Sequence, residues 1–218
     1  FILKATVFLA LFFVNNPLSA DISLFKRDTV IYKKINDIHL RLWIYQPEKS
    51  HKKQNNPAIV FFHGGGWRGG GLMQFDQHAR YFNSRGLTCF LAEYRVSSKH
   101  GTTPFEAVED AKSAIRFIRN NASELGIDPF RIAAGGGSAG GHLAAAAGNI
   151  QGLENPDEDL TVSSKPDALI LFNPVFDNGP DGYGYDRIGE RYLEISPIHN
   201  IGKGTPPTVI FLGDRDEL

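Results

Sequence analysis

The segment RIAAGGGSAGGHLAAA, residues 131–146, sets one serine, Ser138, between two runs of glycine and continues directly into alanines. Glycine inside a strand or helix costs about 0.5–1 kcal/mol relative to alanine, so the glycines flanking Ser138 need a backbone or close-approach reason. Two turn chemistries fit the spacing. Gly135, Gly137 and Gly140 satisfy a dinucleotide-binding fingerprint, but that motif opens a first βαβ unit and is followed about 20 residues on by an acid at a strand end. Here the acids at that distance lie in the polar stretch LENPDED. Gly136, Ser138 and Gly140 satisfy instead the Gly-x-Ser-x-Gly nucleophile elbow, a sharp strand-to-helix turn that exposes a serine Oγ. Small neighbours are then a steric necessity. The alanines let the following helix lie close to a sheet, with its N-terminal amides toward the hydroxyl.

Outward from this turn, strands and helices alternate. TVIYKKINDIHLRLWIYQP alternates around Asn36 and Asp37, which predicts an antiparallel pair. PAIVFF (57–62) is a continuous apolar run, as in a strand covered on both faces. A helix is expected from about Met73 to Arg85, ending at Gly86, and then the strand TCFLAEYRV. From Pro104, the residues Phe105, Val108, Ala111, Ile115 and Ile118 recur at spacings of three and four, marking a long amphipathic helix. RIAA is a short strand feeding the elbow, ALILFNPVF another, and PPTVIFLGD the last in view. The alternation predicts a mostly parallel sheet with helices on both faces, without repeats or a second domain.

With 218 residues, 42% hydrophobic and 22% charged, the chain is long enough for one large domain with its own core. A net charge of −1 with interspersed signs argues against a nucleic-acid partner. Lys4, the run ATVFLALFFV and the small residues before Asp21 follow the order of a secretory signal, so residues 1–20 are expected to be a signal peptide cut near Ala20 and residues 21–218 the folded domain. The run is short of the roughly 20 apolar residues that span a bilayer, so the expected location is secreted or periplasmic, without stable membrane insertion once the signal is removed. Residue 1 is Phe, and the chain is expected to be part of a longer reading frame. Cys89 has no partner for an intramolecular disulfide and is expected to be free and buried.

About 75 residues before Ser138, FFHGGGWRGG (61–70) directly follows a buried strand. An acyl-transfer enzyme must stabilise the oxyanion of a tetrahedral intermediate, and each preformed donor is worth about 3–4 kcal/mol. Consecutive glycines let a backbone turn its amides inward. This HGGG pattern supplies such amides in lipases and esterases, and the residue after the nucleophile, here Ala139, supplies another.

With AEYRV (92–96), AVEDAKSAIRFIR (107–119), GIDPFRIAAGGGSAGGHLAA (126–145) and FLGDRDEL (211–218), these motifs make the sequence resemble the α/β-hydrolases of the hormone-sensitive-lipase type. It is especially similar to exported bacterial feruloyl and acetyl-xylan esterase-like (BD-FAE-like) proteins, over about residues 30–218. The resemblance implies an α/β-hydrolase fold, with the family's final strand and helix lying past residue 218. It implies Ser138 as nucleophile, Gly65, Gly66 and Ala139 as oxyanion donors, Gly64 as the residue shaping the loop, and His63 as a loop support rather than the base. It places the triad acid in a glycine-x-x-aspartate turn, which selects Asp216, with Asp214 the alternative. AEYRVSSKH departs from the family's usual tyrosine-arginine-leucine-alanine-proline run.

The triad order in this fold is Ser, acid, His, and none of the seven histidines follows Asp216, so the base is expected beyond residue 218. His142 and His199 read as structural, and RDEL also resembles an ER-retention tetrapeptide. No His/Cys/Asp cluster has metal-ligand spacing, and no cofactor is implied. The excursion FDNGPDGYGYDRIGERYLEISP is expected to shape the pocket, with Tyr183, Tyr185 or Tyr192 touching substrate. The expected function is hydrolysis of short-chain, acetyl-xylan or feruloyl esters, small or polysaccharide-linked, through an acyl-enzyme, with the 218-residue chain itself almost inactive. The alternatives are a serine peptidase on the same fold and a non-catalytic binding protein that kept it.

Overall fold

The computed structural model describes residues 27–47 and 55–216. The signal segment with its cut near Ala20 lies outside the described residues, as do His51 and Glu217. Among the described residues no helix is long and apolar enough to cross a membrane.

Strands β1 (Arg27–Ile35), β2 (Ile38–Tyr45), β3 (Asn56–Phe62), β4 (Thr88–Ala92), β5 (Ile127–Ser138), β6 (Ala168–Pro174) and β7 (Thr208–Phe211) form one sheet in the order β1-β2-β4-β3-β5-β6-β7. The first two strands are antiparallel, turning at Asn36 with φ 49°, and β2 pairs antiparallel with β4. Every pairing from β4 through β3, β5 and β6 to β7 is parallel. Helices α1 (Asp76–Asn83), α2 (Ser97–His100), α3 (Pro104–Asn120), α4 (Ala122–Leu125), α5 (Ala139–Asn149) and α6 (Tyr185–Ile188) connect or cover the strands. A mostly parallel sheet with helices on both faces is the architecture that the sequence alternation predicts.

The two faces are visible in β3. Ala58, Val60 and Phe62 join the large core under α3 and α5, whereas Ile59 and Phe61 join a second core with Leu72, Phe75 and Ala79 on the α1 side. Long helix α3 starts at a full capping box, with Thr103 and Glu106 each bonding the other's backbone and Pro104 at the first position. Helix α1 begins later than its apolar pattern suggests, because Leu72–Phe75 forms a separate 3₁₀ turn. Strand β5 starts at Ile127 rather than Arg131, because Asn56 pairs with Ile127 across a bulge. Strand β7 pairs only with β6 among the described residues, and Val209, Ile210 and Phe211 are all about half exposed. Cys89 is free and buried, and burial pushes its thiol pKa up.

Candidate active site

Ser138 is the residue at which β5 ends and α5 begins, and its backbone sits at φ 52°, ψ −120°. A non-glycine residue held there costs on the order of 1–3 kcal/mol and persists only where its surroundings over-determine it. Gly140 and Gly136 show what over-determines it. A Cβ on Gly140 would lie 2.0 Å from the Phe62 carbonyl oxygen and 2.6 Å from that of His63. A Cβ on Gly136 would lie 2.4 Å from the Gly140 carbonyl carbon. The first turn of α5 is thus driven against the end of β3, which forces the reversal at Ser138. The Ala139 N–H, at the first helical position, is one of the amides a helix leaves without an internal acceptor.

The end of β3 is also where the HGGG loop starts, so elbow and loop are built on one contact. A methyl on Gly64 would stand 3.4 Å from Ser138 Cβ and 2.9 Å from the Gly137 oxygen. The loop's carbonyls are held one after another. His63 Nδ1 lies 2.8 Å from the Gly64 oxygen, so that nitrogen carries the proton and donates. The Gly65 oxygen accepts from Arg68 N–H at 3.0 Å and Gly69 N–H at 3.3 Å. The Gly66 oxygen accepts from Arg187 Nη1. A trans peptide sets its N–H opposite its C=O, so pinning the Gly64 and Gly65 carbonyls turns the Gly65 and Gly66 amides to the other side of the loop. Neither amide donates to another described residue.

His63 is itself tied down. Its ring stacks on Tyr94 with centroids 4.3 Å apart, and Tyr94 Oη donates to the His63 oxygen at 2.8 Å. Burial lowers the His63 pKa, so the ring stays neutral and keeps its donor role. Tyr94 is followed by Arg95, whose guanidinium is locked to the fully buried Asp110 of α3.

The other expected site residues fall as follows. Asp216 and Asp214 lie in the exposed turn after β7, on the same carboxyl edge of the sheet as Ser138, with β6 between β5 and β7. Tyr183 reaches the loop: its Oη would lie 2.9 Å from a Cβ on Gly66, and its ring sits 5.8 Å from that of Trp67. Tyr185 and Tyr192 face each other at 6.0 Å, with Tyr185 donating to Glu190 and Tyr192 edge-on to His199. No hydrogen bond or ring contact joins these two to the loop or to Ser138. His142 is fully buried, edge-on to Trp67, with Nε2 donating to the Ile195 oxygen at 2.9 Å. His199 bonds Ser196 Oγ at 2.9 Å. Among the described residues no group of three or more His, Cys, Asp or Glu is arranged to hold a metal ion.

Three residues that the sequence does not single out belong to the site. Gln74 accepts the Gly64 N–H at 2.6 Å, Arg187 holds the Gly66 oxygen, and Tyr94 holds His63. Tyr94 lies in the motif AEYRV and Arg187 in the aromatic excursion, but the sequence assigns neither of them a role.

The sequence is 37% identical over 212 residues to carboxylesterase NlhH of Mycobacterium tuberculosis, covering 87% of this chain and 64% of that protein. Apo esterase 2 of Thermogutta terrifontis matches with TM-score 0.80 and 44% identity, covering 84% of this chain and 70% of that one. The same esterase phosphorylated by paraoxon matches at 0.79, 44%, 84% and 69%, and with butyrate bound at 0.79, 42%, 84% and 70%. The chain spans less than two thirds of the length of the curated relatives it matches. Residues 42–178, most of the described chain, match the BD-FAE family model. With its mostly parallel sheet and the serine elbow set against a glycine loop, this chain belongs to the BD-FAE family of α/β-hydrolases.

Proposed function

We propose that the protein is a serine esterase that cleaves carboxylic esters through an acyl-enzyme on Ser138. One observation carries the reading: Ser138, held at φ 52°, borders a loop whose Gly64, Gly65 and Gly66 carbonyls are each bonded to a partner other than Ser138. In this reading the imidazole base takes the Ser138 Oγ proton as Oγ attacks the ester carbonyl carbon, and the developing oxyanion accepts from the amides of Gly65, Gly66 and Ala139. Collapse breaks the C–O bond as the imidazolium returns that proton to the leaving alcohol; the imidazole then takes a proton from water as it attacks the acyl-serine, and gives it back to Ser138 Oγ as the acid leaves. Asp216 is the acid that orients the imidazole base, which follows it in the chain order of this fold.

Short acyl groups fit best, supported by the butyrate bound to the Thermogutta esterase. Acetyl or feruloyl groups on a polysaccharide are the finer possibility within the same reading. Export belongs to it too, supported by Lys4, the apolar run at 5–14 and the small residues before Asp21.

The test is covalent. Incubating the full-length protein with paraoxon and mapping the phosphorylated peptide should place one adduct on Ser138. Ser138→Ala should abolish both the adduct and hydrolysis of p-nitrophenyl butyrate, a loss on the order of 10⁶ in kcat. An adduct elsewhere, or ester turnover surviving in Ser138→Ala, overturns the reading.

A further inference from the structure

Gln74 is an exposed residue of the 3₁₀ turn Leu72–Phe75, between the glycine loop and α1. Its Oε1 takes the Gly64 N–H at 2.6 Å. An N–H has no lone pair to offer, so this contact fixes which end of the side-chain amide is oxygen and which is nitrogen. Nε2 is left as a pair of N–H donors whose orientation the Gly64 bond sets.

The surroundings of that nitrogen are specific. A methyl on Gly64 would stand 3.4 Å from Gln74 Nε2 and also 3.4 Å from Ser138 Cβ. A methyl on Gly137 would stand 3.7 Å from the same nitrogen and 3.4 Å from Phe75 Cζ. The amide and the nucleophile therefore flank one small space over Gly64, with the ring of Phe75 beside it. Ser138 Oγ is one bond from that Cβ, so an acyl group attached to it starts beside this space.

We propose that Gln74 is a specificity-determining residue of the ester site. Its Nε2–H donates to an acceptor oxygen carried on the acyl group close to the scissile carbonyl, while its Oε1 keeps the Gly64 peptide in place. The proposal rests on the reading of Ser138 as the esterase nucleophile. It separates two functions within one side chain: loop support through oxygen and substrate selection through nitrogen. Gln74→Glu retains an acceptor for the Gly64 N–H but removes the donor at neutral pH, and Gln74→Met removes both.

The experiment compares two p-nitrophenyl esters of nearly equal shape, the butyrate and the methoxyacetate, which replaces one acyl methylene by an ether oxygen. For the full-length protein, kcat/KM is measured on both for wild type, Gln74→Glu and Gln74→Met, with paraoxon labelling of Ser138 reporting an intact elbow. A neutral hydrogen bond corresponds to a few-fold to about tenfold discrimination. Both variants should lower the methoxyacetate-to-butyrate ratio by about fivefold, and Gln74→Met should lose more than Gln74→Glu on the butyrate. Equal losses on both esters, or an unchanged ratio, would overturn the role of Gln74 alone. A full-length wild-type protein that takes no label and hydrolyses neither ester would overturn the esterase reading and the Gln74 role with it.

Discussion

Arg95 and Asp110 form a closed pair: Arg95 Nε and backbone N–H both donate to Asp110 Oδ2, at 2.8 and 2.9 Å, and Nη2 donates to Oδ1 at 2.8 Å. Asp110 is fully buried, and Lys33 Nζ lies 2.8 Å from its Oδ1. One carboxylate thus ties β1, the segment after β4 and α3 together. Because Tyr94 adjoins Arg95 and clamps His63, the same pair fixes the back of the glycine loop.

Asp110→Ala would leave Lys33 and Arg95 with only the partly exposed Glu109, 2.6 and 3.1 Å away, as their remaining shared anion. Removing one partner of such a pair costs about 3–5 kcal/mol. The expected outcome is a large drop in the urea midpoint and lost esterase activity even in the fraction that remains folded. A midpoint unchanged within error would show that Arg95 and Lys33 find water or other acceptors.

The glycine contacts separate two kinds of residue that look alike in sequence. Gly140→Ala sets a methyl 2.0 Å from the Phe62 oxygen, a backbone atom that cannot move without shifting β3. Gly71 has an extended backbone at φ −161° and nothing within 4 Å of a Cβ. Gly140→Ala is expected to lose most activity and several kcal/mol of stability, on the scale of overpacking and backbone strain, and Gly71→Ala to stay within about 0.5 kcal/mol of wild type. Thermal melts and p-nitrophenyl butyrate assays on both variants check this; similar behaviour of the two would remove the close-approach account of the elbow.

How much could be read beforehand follows from the range of each interaction. The elbow and the loop announce themselves because steric demands within a few residues are written as glycine. The apolar runs of β3 and β6 and the three-four spacing of α3 do the same for the sheet and its cover. The pinning of the loop is carried by residues distant in sequence: Arg187 reaches the Gly66 oxygen across 121 positions, and Arg95 meets Asp110 across 15. A periodic pattern holds no trace of such pairs. The sequence leads one to expect that the aromatic excursion shapes the pocket, but which tyrosine faces the loop depends on how residues 177–194 fold. Gly184, packed on Trp67 and Arg187, belongs to the stretch that turns Tyr183 toward the loop, while Tyr185 is engaged by Glu190.

Arg187 offers a test of the loop that leaves the core alone. Its guanidinium bonds the Gly66 oxygen and lies 5.2 Å from the Trp67 ring and 5.3 Å from the Tyr183 ring. A hydrogen bond to a charged group is worth about 1.5–3 kcal/mol. Freed from it, the Gly66 peptide can rotate and its neighbours lose alignment. Arg187→Ala is expected to lower kcat about tenfold or more on p-nitrophenyl butyrate, with Arg187→Lys recovering part of it and the melting temperature little changed. Equal kcat in Arg187→Ala and wild type would mean that the loop is held by His63 and Gln74 without it.

His142 makes a pH prediction of definite sign. Burial lowers its pKa from 6.5 to about 4, because the imidazolium would be stripped of water where the Ile195 carbonyl offers one acceptor. The folded protein keeps the ring neutral, whereas the unfolded chain takes up a proton as the pH falls through 6.5. Unfolding therefore binds a proton over that interval, so this contribution is intact above about pH 6.5 and shrinks as the pH falls toward 4, where the folded state protonates as well and the loss levels off. A gap of this width corresponds to roughly 3 kcal/mol at most. Carboxylates held low by partners, such as Glu154 beside Arg116 and Lys112, also lose stability on acidification, so wild type alone does not isolate the histidine. Gln at the same position keeps a donor for the Ile195 oxygen but does not titrate. Urea midpoints for wild type and His142→Gln, taken between pH 7.5 and 4, should diverge below pH 6.5, with wild type falling faster. Curves that stay parallel across that range would mean that the imidazole ionises inside the fold as readily as outside it.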